Sequence, residues 1–444
     1  HGGFKVSNST RQLGLVMCTA LVVGNMIGMG IFMQPAALAP YGLNALTGWF
    51  AVIVGCGCIA VVFAALARKL PQAAGPFGYV RATLGEAVAF PALWSYWISV
   101  WVTNAVLSIG VIGYFINFFP AAGAIPPAVL AVGFMWFFVG VNLLGVRSGG
   151  RVQVLTSLLK LVPLVLVMIV GAASILANPG AYTPNVPTTE ITVHASMGAA
   201  AVALYAMLGF ESAAVAAGRV TNPEKTIPRA TLIGTLFVAV IYVTIVAIGM
   251  LVVPQATLAA SDAPFVTILN HLLGAGSGRW LSLFIVISGL GCLNGWTLLA
   301  GELTRTLASH RLLPAILGED NRFGAPWASL LLTGVLATAV GLMNYSESLV
   351  GGFTKLSLIV SAANLPLYVC CSFALFAMLR RDPAGLSPTL WFAGVGGIAF
   401  SAFAFFGVGW EPFIWALVLA AAGVPIYLWM RRRHPPAPVA APGR

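Results

Sequence analysis

The stretch Gly24-Asn25-Met26-Ile27-Gly28-Met29-Gly30-Ile31-Phe32 places three glycines within an apolar run that is long enough to cross a lipid bilayer. A later apolar run contains Gly209-Phe210-Glu211-Ser212. Glycine destabilises a helix by about 1 kcal/mol relative to alanine, and a carboxylate within a membrane is costly unless it is partnered. We therefore predict that both helices are interrupted and face a cavity. Close helix packing through Gly24 and Gly28 is the alternative interpretation.

The composition indicates a membrane protein. Of the 444 residues, 59% are hydrophobic and 7% are charged, whereas soluble domains carry about 25% charged residues. The net charge of +11 does not indicate a nucleic-acid partner, because the basic residues lie in short loops between apolar runs, as membrane orientation requires. The expected surroundings are therefore the lipid bilayer, and the six cysteines lack the spacing of a metal site.

A membrane-spanning helix needs about 20 apolar residues, and the sequence predicts twelve of them. The predicted spans are 13–39, 44–68, 87–118, 126–146, 153–176, 194–217, 229–253, 278–309, 327–344, 353–380, 388–408 and 411–430. Residues 256–273 are predicted to form one short helix at the membrane surface. Together these segments give an all-α transmembrane domain over residues 1–430, with halves at 13–176 and 194–380, extra helices at 388–430 and a tail at 431–444.

The distribution of lysine and arginine predicts the orientation. Basic residues concentrate in the loops on one side, whereas the opposite side holds only Arg279 and, near a helix end, Lys355. Positively charged loops remain in the cytoplasm, so both termini are expected there. The first apolar run is longer than the apolar core of a cleavable signal peptide, and we expect it to be a span.

The predicted interruptions suit a zwitterion. The N-terminus of a half-helix offers unpaired N–H groups to an anion, so we expect a substrate carboxylate at Met29 and Gly30. Carbonyl oxygens at an interruption suit an ammonium group, and the candidates are those of Met26, Tyr205 and Leu208. The sequence therefore predicts a small amino acid or amine as the ligand, with no cofactor.

At these residues the chain resembles the amino acid–polyamine–organocation (APC) transporters, most closely the bacterial arginine/agmatine antiporters. The resemblance covers nearly the whole chain and is most specific in four segments. They are Gly24-Asn25-Met26-Ile27-Gly28, Gly209-Phe210-Glu211-Ser212-Ala213-Ala214-Val215-Ala216-Ala217-Gly218 followed by Asn222-Pro223, Gly295-Trp296-Thr297-Leu298-Leu299-Ala300-Gly301, and Gly75-Pro76-Phe77-Gly78-Tyr79. The resemblance implies an inverted repeat of five plus five helices with broken helices 1 and 6, two further helices, alternating access in the bacterial inner membrane, and a possible homodimer.

The resemblance also implies roles for individual residues. Asn25 and Gly28 belong to the first break, and Tyr205 corresponds to a gating aromatic residue. Trp296 corresponds to the aromatic residue that stacks on the cationic end of the substrate. Further implied positions are Asn104 and Ser357 near the substrate side chain and Glu211 in gating and pH response, with Tyr96 and Ser99 as weaker candidates on the face of Asn104. From the residues alone, Trp296 and Ser357 also suit helix packing, and Asn104 suits either a helix bridge or a ligand contact.

Three positions depart from the arginine/agmatine antiporters. Met29 replaces a small residue, Tyr205 replaces a tryptophan, and Lys160 replaces a small apolar residue. Lys160 either extends to the membrane surface or places its ammonium group at the interrupted first span, in the place of a coupling cation, where it could carry a coupled proton. Trp296 and Asn104 favour a cationic substrate in exchange for its amine, whereas Lys160 favours a neutral amino acid or proton coupling.

Two other classes of function fit the sequence poorly. An intramembrane enzyme would need a catalytic cluster such as HExxH or paired aspartates within the spans. An ion channel would favour repeated pore segments and rings of like charge. The sequence shows neither pattern.

Overall fold

The computed structural model describes residues 14–70, 73, 75–145, 150–211, 220–343, 348–381 and 387–433, without the side chains of 150–158 and 223–224. Within these ranges eight helices are long and apolar enough to cross a membrane, and one bent pair of helices makes a ninth span. Three shorter apolar helices bring the fold to the predicted twelve spans, which confirms the predicted fold class. We number the spans in chain order. They are Leu15–Met26 with Met29–Leu38 (span 1), Asn44–Lys69, Glu86–Phe118, Pro127–Leu143, Gly150–Ala177, Val193–Met207 (the described part of span 6), Pro223–Val252, Arg279–Ser309, Trp327–Met343, Leu349–Arg381, Pro388–Gly407 and Trp410–Arg433 (span 12).

Span 1 is interrupted where the glycines predict it. Its first half ends at Met26, Ile27 and Gly28 are extended, and its second half begins at Met29. The two halves are bent by 47° relative to each other. The interruption leaves carbonyl groups at the end of the first half and N–H groups at the start of the second half without partners in their own helix.

Span 6 also loses its helical conformation near the predicted position. The helix ends at Met207, Leu208 is extended, and Gly209 has a φ of +108°, a conformation that favours glycine. Ser212 and the predicted second half of this span lie outside the described residues.

The interrupted spans lie at the centre of the helical bundle. The first half of span 1 packs on span 7, and the second half packs on span 6. Span 3 packs along spans 8 and 10 and is buried over most of its length. This arrangement brings spans 1, 3, 6, 8 and 10 together around the two interruptions.

The predicted single surface helix was wrong, and spans 7 and 10 begin at Pro223 and Leu349, before their predicted starts at 229 and 353. The surface segment 256–273 consists of two helices, Gln255–Ala259 and Pro264–Leu273, instead of one. The reason is Pro264, since the residue before a proline disfavours helical geometry, and Ala263 has φ −139° and ψ 69°. The last helix continues through Arg433 into the predicted tail, where basic residues favourably face the negative end of the helix dipole.

Candidate functional site

A cavity of about 20 Å³ lies between the interruptions of spans 1 and 6. This volume holds about one water molecule, so a substrate can enter only when the spans move apart. Residues from the predicted site that line the cavity are Asn25, Met26, Gly28, Met29, Gly30, Tyr205, Leu208 and Trp296. None of the described residues that line it is acidic or basic.

Close backbone contacts explain the glycines of both interruptions. A Cβ atom at Gly30 would lie 2.9 Å from the Cα atom of Ala206. A Cβ atom at Gly209 would lie 2.9 Å from the carbonyl oxygen of Asn25. The backbones of spans 1 and 6 therefore contact each other directly where both helices are broken.

Met29 replaces the small residue that the arginine/agmatine antiporters share, and glycines of two other spans provide the space for its side chain. A Cβ atom at Gly289 of span 8 would lie 2.6 Å from the Met29 sulfur, and one at Gly110 of span 3 would lie 3.4 Å from the Met29 Cβ atom. The Met29 side chain thus fills the space between spans 1, 3 and 8, and its backbone remains at the cavity.

The N-terminus of the second half of span 1 is the predicted carboxylate site. Gly28 precedes it, and glycine has no side chain that could cap the helix. The backbone of Met29 instead makes a hydrogen-bonding contact with the sulfur of Cys292 in span 8. The N–H group of Met29 is therefore directed toward the cavity wall formed by span 8.

The predicted ammonium site already contains two hydrogen bonds. The hydroxyl of Tyr242 in span 7 donates to the carbonyl oxygen of Met26 at 2.8 Å. The carbonyl oxygen of Tyr205 accepts from the backbone N–H of Leu208 at 3.3 Å. A carbonyl oxygen has two lone pairs, so each oxygen retains capacity for a second donor.

Lys160 is only 3% exposed, and its ammonium group donates to the carbonyl oxygen of Gly24 at 3.2 Å. The side chain therefore extends toward span 1, and not toward the membrane surface. Its charge lies at the C-terminal end of the first half-helix, where the helix dipole is negative. Lys160 connects span 5 to the interruption without lining the cavity itself.

Glu211 stabilises the interruption of span 6. One carboxylate oxygen accepts from the backbone N–H of Gly209 at 3.1 Å, and the other accepts from the hydroxyl of Tyr96 at 3.5 Å. The side chain is 3% exposed. Glu211 and Tyr96 therefore connect the interruption to span 3, at a distance from the cavity lining.

Three predicted binding residues are buried but do not line the cavity. The hydroxyl groups of Ser99 and Ser357 donate to carbonyl oxygens of their own helices, at 2.7 and 2.8 Å. The Asn104 side-chain oxygen accepts from the hydroxyl of Thr297 at 3.3 Å. In this conformation Asn104 bridges spans 3 and 8.

Four residues that line the cavity were missed in the sequence. They are Thr103, Leu107, Ala206 and Cys292. Cys292 lies four residues before Trp296, and residues at this spacing share one face of a helix. That spacing could have identified Cys292, whose position in an apolar run otherwise indicates a small packing residue.

The bundle end at which spans 1 and 3 finish, here called the distal end, is closed by the segment 255–273. The Tyr114 hydroxyl donates to the carbonyl oxygen of Phe32 at 2.6 Å and accepts from the backbone N–H of Phe265 at 3.2 Å. The carboxylate of Asp262 accepts a hydrogen bond from the backbone of Val350, in the first turn of span 10. Partial desolvation of this carboxyl raises its pKa, and the Val350 contact opposes that shift.

Comparison with known proteins places this fold in a family. The model of the amino acid permease family matches residues 13–429. The chain is 32% identical to a cadaverine/lysine antiporter of Escherichia coli (strain K12) over 374 residues, which cover 82% of the chain and 83% of that protein. It is 29% identical to the putrescine transporter PotE of Haemophilus influenzae over 432 residues, which cover 95% of the chain and 98% of that protein. The chain therefore belongs to the amino acid permease family of the APC superfamily, and it is a multi-pass membrane transporter.

Proposed function

We propose that the chain is a secondary active transporter that exchanges a cationic amino acid, such as arginine or lysine, for its decarboxylated amine by alternating access. The observation that carries this proposal is the cavity between the broken spans, which combines the half-helix N–H groups at Met29 with the aromatic side chains of Tyr205 and Trp296. The first group suits a carboxylate, and an indole face attracts a cation. The two relatives described above are named for cadaverine, lysine and putrescine, which supports the same substrate class.

The site would recognise the substrate cation without a carboxylate in the cavity lining. In the described residues, the lining supplies aromatic faces, amide and hydroxyl groups and backbone carbonyl oxygens. Such a site holds a cation firmly enough for selection but leaves it free to depart, as exchange requires. Glu211 and Lys160 would then act on the helix interruptions and not on the substrate directly.

A competition assay in proteoliposomes tests this proposal. Labelled arginine and labelled lysine are taken up against an excess of agmatine, cadaverine, putrescine, leucine or alanine. We expect an amine added outside to inhibit uptake of the label and to release label that the proteoliposomes have already accumulated. Leucine and alanine should do neither. Displacement by leucine or alanine alone would contradict the proposal.

The position of Lys160 favours a second candidate function. Its ammonium group at the Gly24 carbonyl oxygen suits a neutral amino-acid exchanger or a proton-coupled symporter, in which a lysine replaces a coupling cation. Uptake of leucine or alanine that responds to an imposed pH gradient would favour this candidate. Uptake of arginine that depends only on internal amine would favour the first.

We also infer the setting in which the transporter works. The distribution of basic loops supports an orientation in a bacterial inner membrane with both termini in the cytoplasm, in which the distal end would face outward. Labelling of single cysteines introduced at Gly14 and Gly276 with a membrane-impermeant thiol reagent tests this orientation. In intact cells, only the cysteine at position 276 is expected to react.

A further inference from the structure

Cys292 lies against the interruption of span 1. Its side chain lines the central cavity and is 7% exposed. A Cβ atom at Gly28 would lie 2.9 Å from the Cys292 sulfur, so the thiol directly faces the extended residue that precedes the second half-helix. The sulfur therefore lies at the predicted carboxylate site.

Two hydrogen-bond donors approach this sulfur. The backbone of Met29 and the side chain of Trp296 both make hydrogen-bonding contacts with it. The N-cap residue Gly28 has no side chain that could cap this half-helix, so the sulfur serves as the acceptor that the helix N-terminus otherwise lacks. Thiol sulfur is a weak acceptor, and a carboxylate forms stronger, charge-assisted hydrogen bonds with the same donors.

The two partners of the proposed exchange differ at this point. An amino acid carries a carboxylate, which would satisfy the Met29 N–H. Its decarboxylated amine carries no acceptor there, and a buried N–H without a partner weakens binding. This step of the argument rests on the proposed function.

We propose that Cys292 is a specificity-determining residue that allows the site to accept an alkylamine as well as an amino acid. The sulfur accepts the Met29 N–H while an amine is bound. It gives up this contact when the carboxylate of an amino acid arrives. One site then binds both exchange partners without leaving the half-helix N-terminus unsatisfied in either complex.

The test compares Cys292→Ala and Cys292→Ser with the unmodified protein. Dissociation constants for lysine, cadaverine, arginine and agmatine are measured on the purified transporter. We expect Cys292→Ala to weaken binding of both amines about tenfold and to change binding of both amino acids less than twofold. Cys292→Ser retains an acceptor and should restore amine binding, which a purely structural role would not require.

Cys371→Ala provides the matched control, because Cys371 is a fully buried cysteine of span 10 outside the cavity lining. It should leave the ratio of amine to amino-acid affinity unchanged. Equal changes for amines and amino acids in Cys292→Ala, or no change in either, would overturn the role of Cys292. If the unmodified protein binds no amine at all, the proposed exchange itself is wrong, and this outcome is distinct from the first.

Discussion

The ammonium nitrogen of Lys160 lies 3.2 Å from the carbonyl oxygen of Gly24, and this hydrogen bond connects span 5 to the first half of span 1. The last carbonyl groups of a helix have no partners within it. A cation at this end satisfies one of them and interacts favourably with the helix dipole. Lys160 therefore stabilises the broken form of span 1, on which the geometry of the cavity depends.

Replacement of Lys160 by methionine should impair transport severely. The change keeps the apolar stem but removes the charge, and a hydrogen bond to a charged group contributes about 1.5–3 kcal/mol. We expect uptake in proteoliposomes to fall at least about tenfold. Lys225→Met, at an exposed position near the start of span 7, serves as the control and should retain full uptake. Unchanged uptake with unchanged pH dependence in Lys160→Met would remove Lys160 from the mechanism.

Gly30→Ala should block transport by separating spans 1 and 6. The added methyl group would lie 2.9 Å from the Cα atom of Ala206, and a backbone atom cannot move aside as a flexible side chain can. Overpacking of this kind costs about 1–3 kcal/mol, and we expect a lower melting temperature and a loss of uptake. Gly295→Ala is the control, because no atom of the described residues lies within 4 Å of a Cβ atom at that position. Equal uptake by the two variants would contradict the close contact.

Trp296→Leu should weaken substrate binding while the fold is retained. A cation over an aromatic ring gains about 0.5–2 kcal/mol, so the affinity for arginine or lysine should fall about 2- to 30-fold. Isothermal titration of the purified protein measures this change. Trp280→Leu affects the exposed distal end of the same helix and should leave the affinity unchanged. A loss of affinity in Trp280→Leu alone would exclude Trp296 as the aromatic contact.

The closure of the distal end should depend on pH through Asp262. Desolvation raises the pKa of its carboxyl in the packed conformation, so this conformation binds a proton more tightly than one in which Asp262 is fully hydrated. Protonation of Asp262 therefore stabilises the packed conformation at low pH, and this stabilisation is lost as the pH rises through the raised pKa. We expect the melting temperature of Asp262→Asn to vary less between pH 4 and pH 7 than that of the unmodified protein.

The control for this experiment is Asp320→Asn, since Asp320 pairs with Arg305 at 3.2 Å in the loop after span 8, far along the chain from the distal segment. This variant should keep the pH dependence of the unmodified protein. A pH dependence that persists in Asp262→Asn and disappears in Asp320→Asn would assign the effect to the other end of the transporter.

The sequence predicted the broken helices because glycine and a buried carboxylate are both unfavourable in a lipid-facing helix. Gly28, Gly209 and Glu211 violate that rule together, and the structure places the interruptions at these residues. The sequence did not predict the division of the surface segment at Pro264, because a short apolar segment gives a weak signal and the proline effect is local.

The candidate site was predicted less completely than the fold. The cavity brings together residues from spans 1, 3, 6 and 8, and a single sequence read by itself does not indicate which helix faces meet. Cys292 resembles any small packing residue until its position against Gly28 is known. Asn104 forms a bridge to Thr297 instead of lining the cavity, which sequence spacing alone leaves open.

The narrowness of the central cavity has a consequence for cellular energy. A continuous file of water molecules would conduct protons through the protein and discharge the gradient that drives ATP synthesis. A space of about 20 Å³ accommodates about one water molecule, which is too few for such a file. In this conformation the space between the two interruptions therefore cannot hold such a file of water molecules.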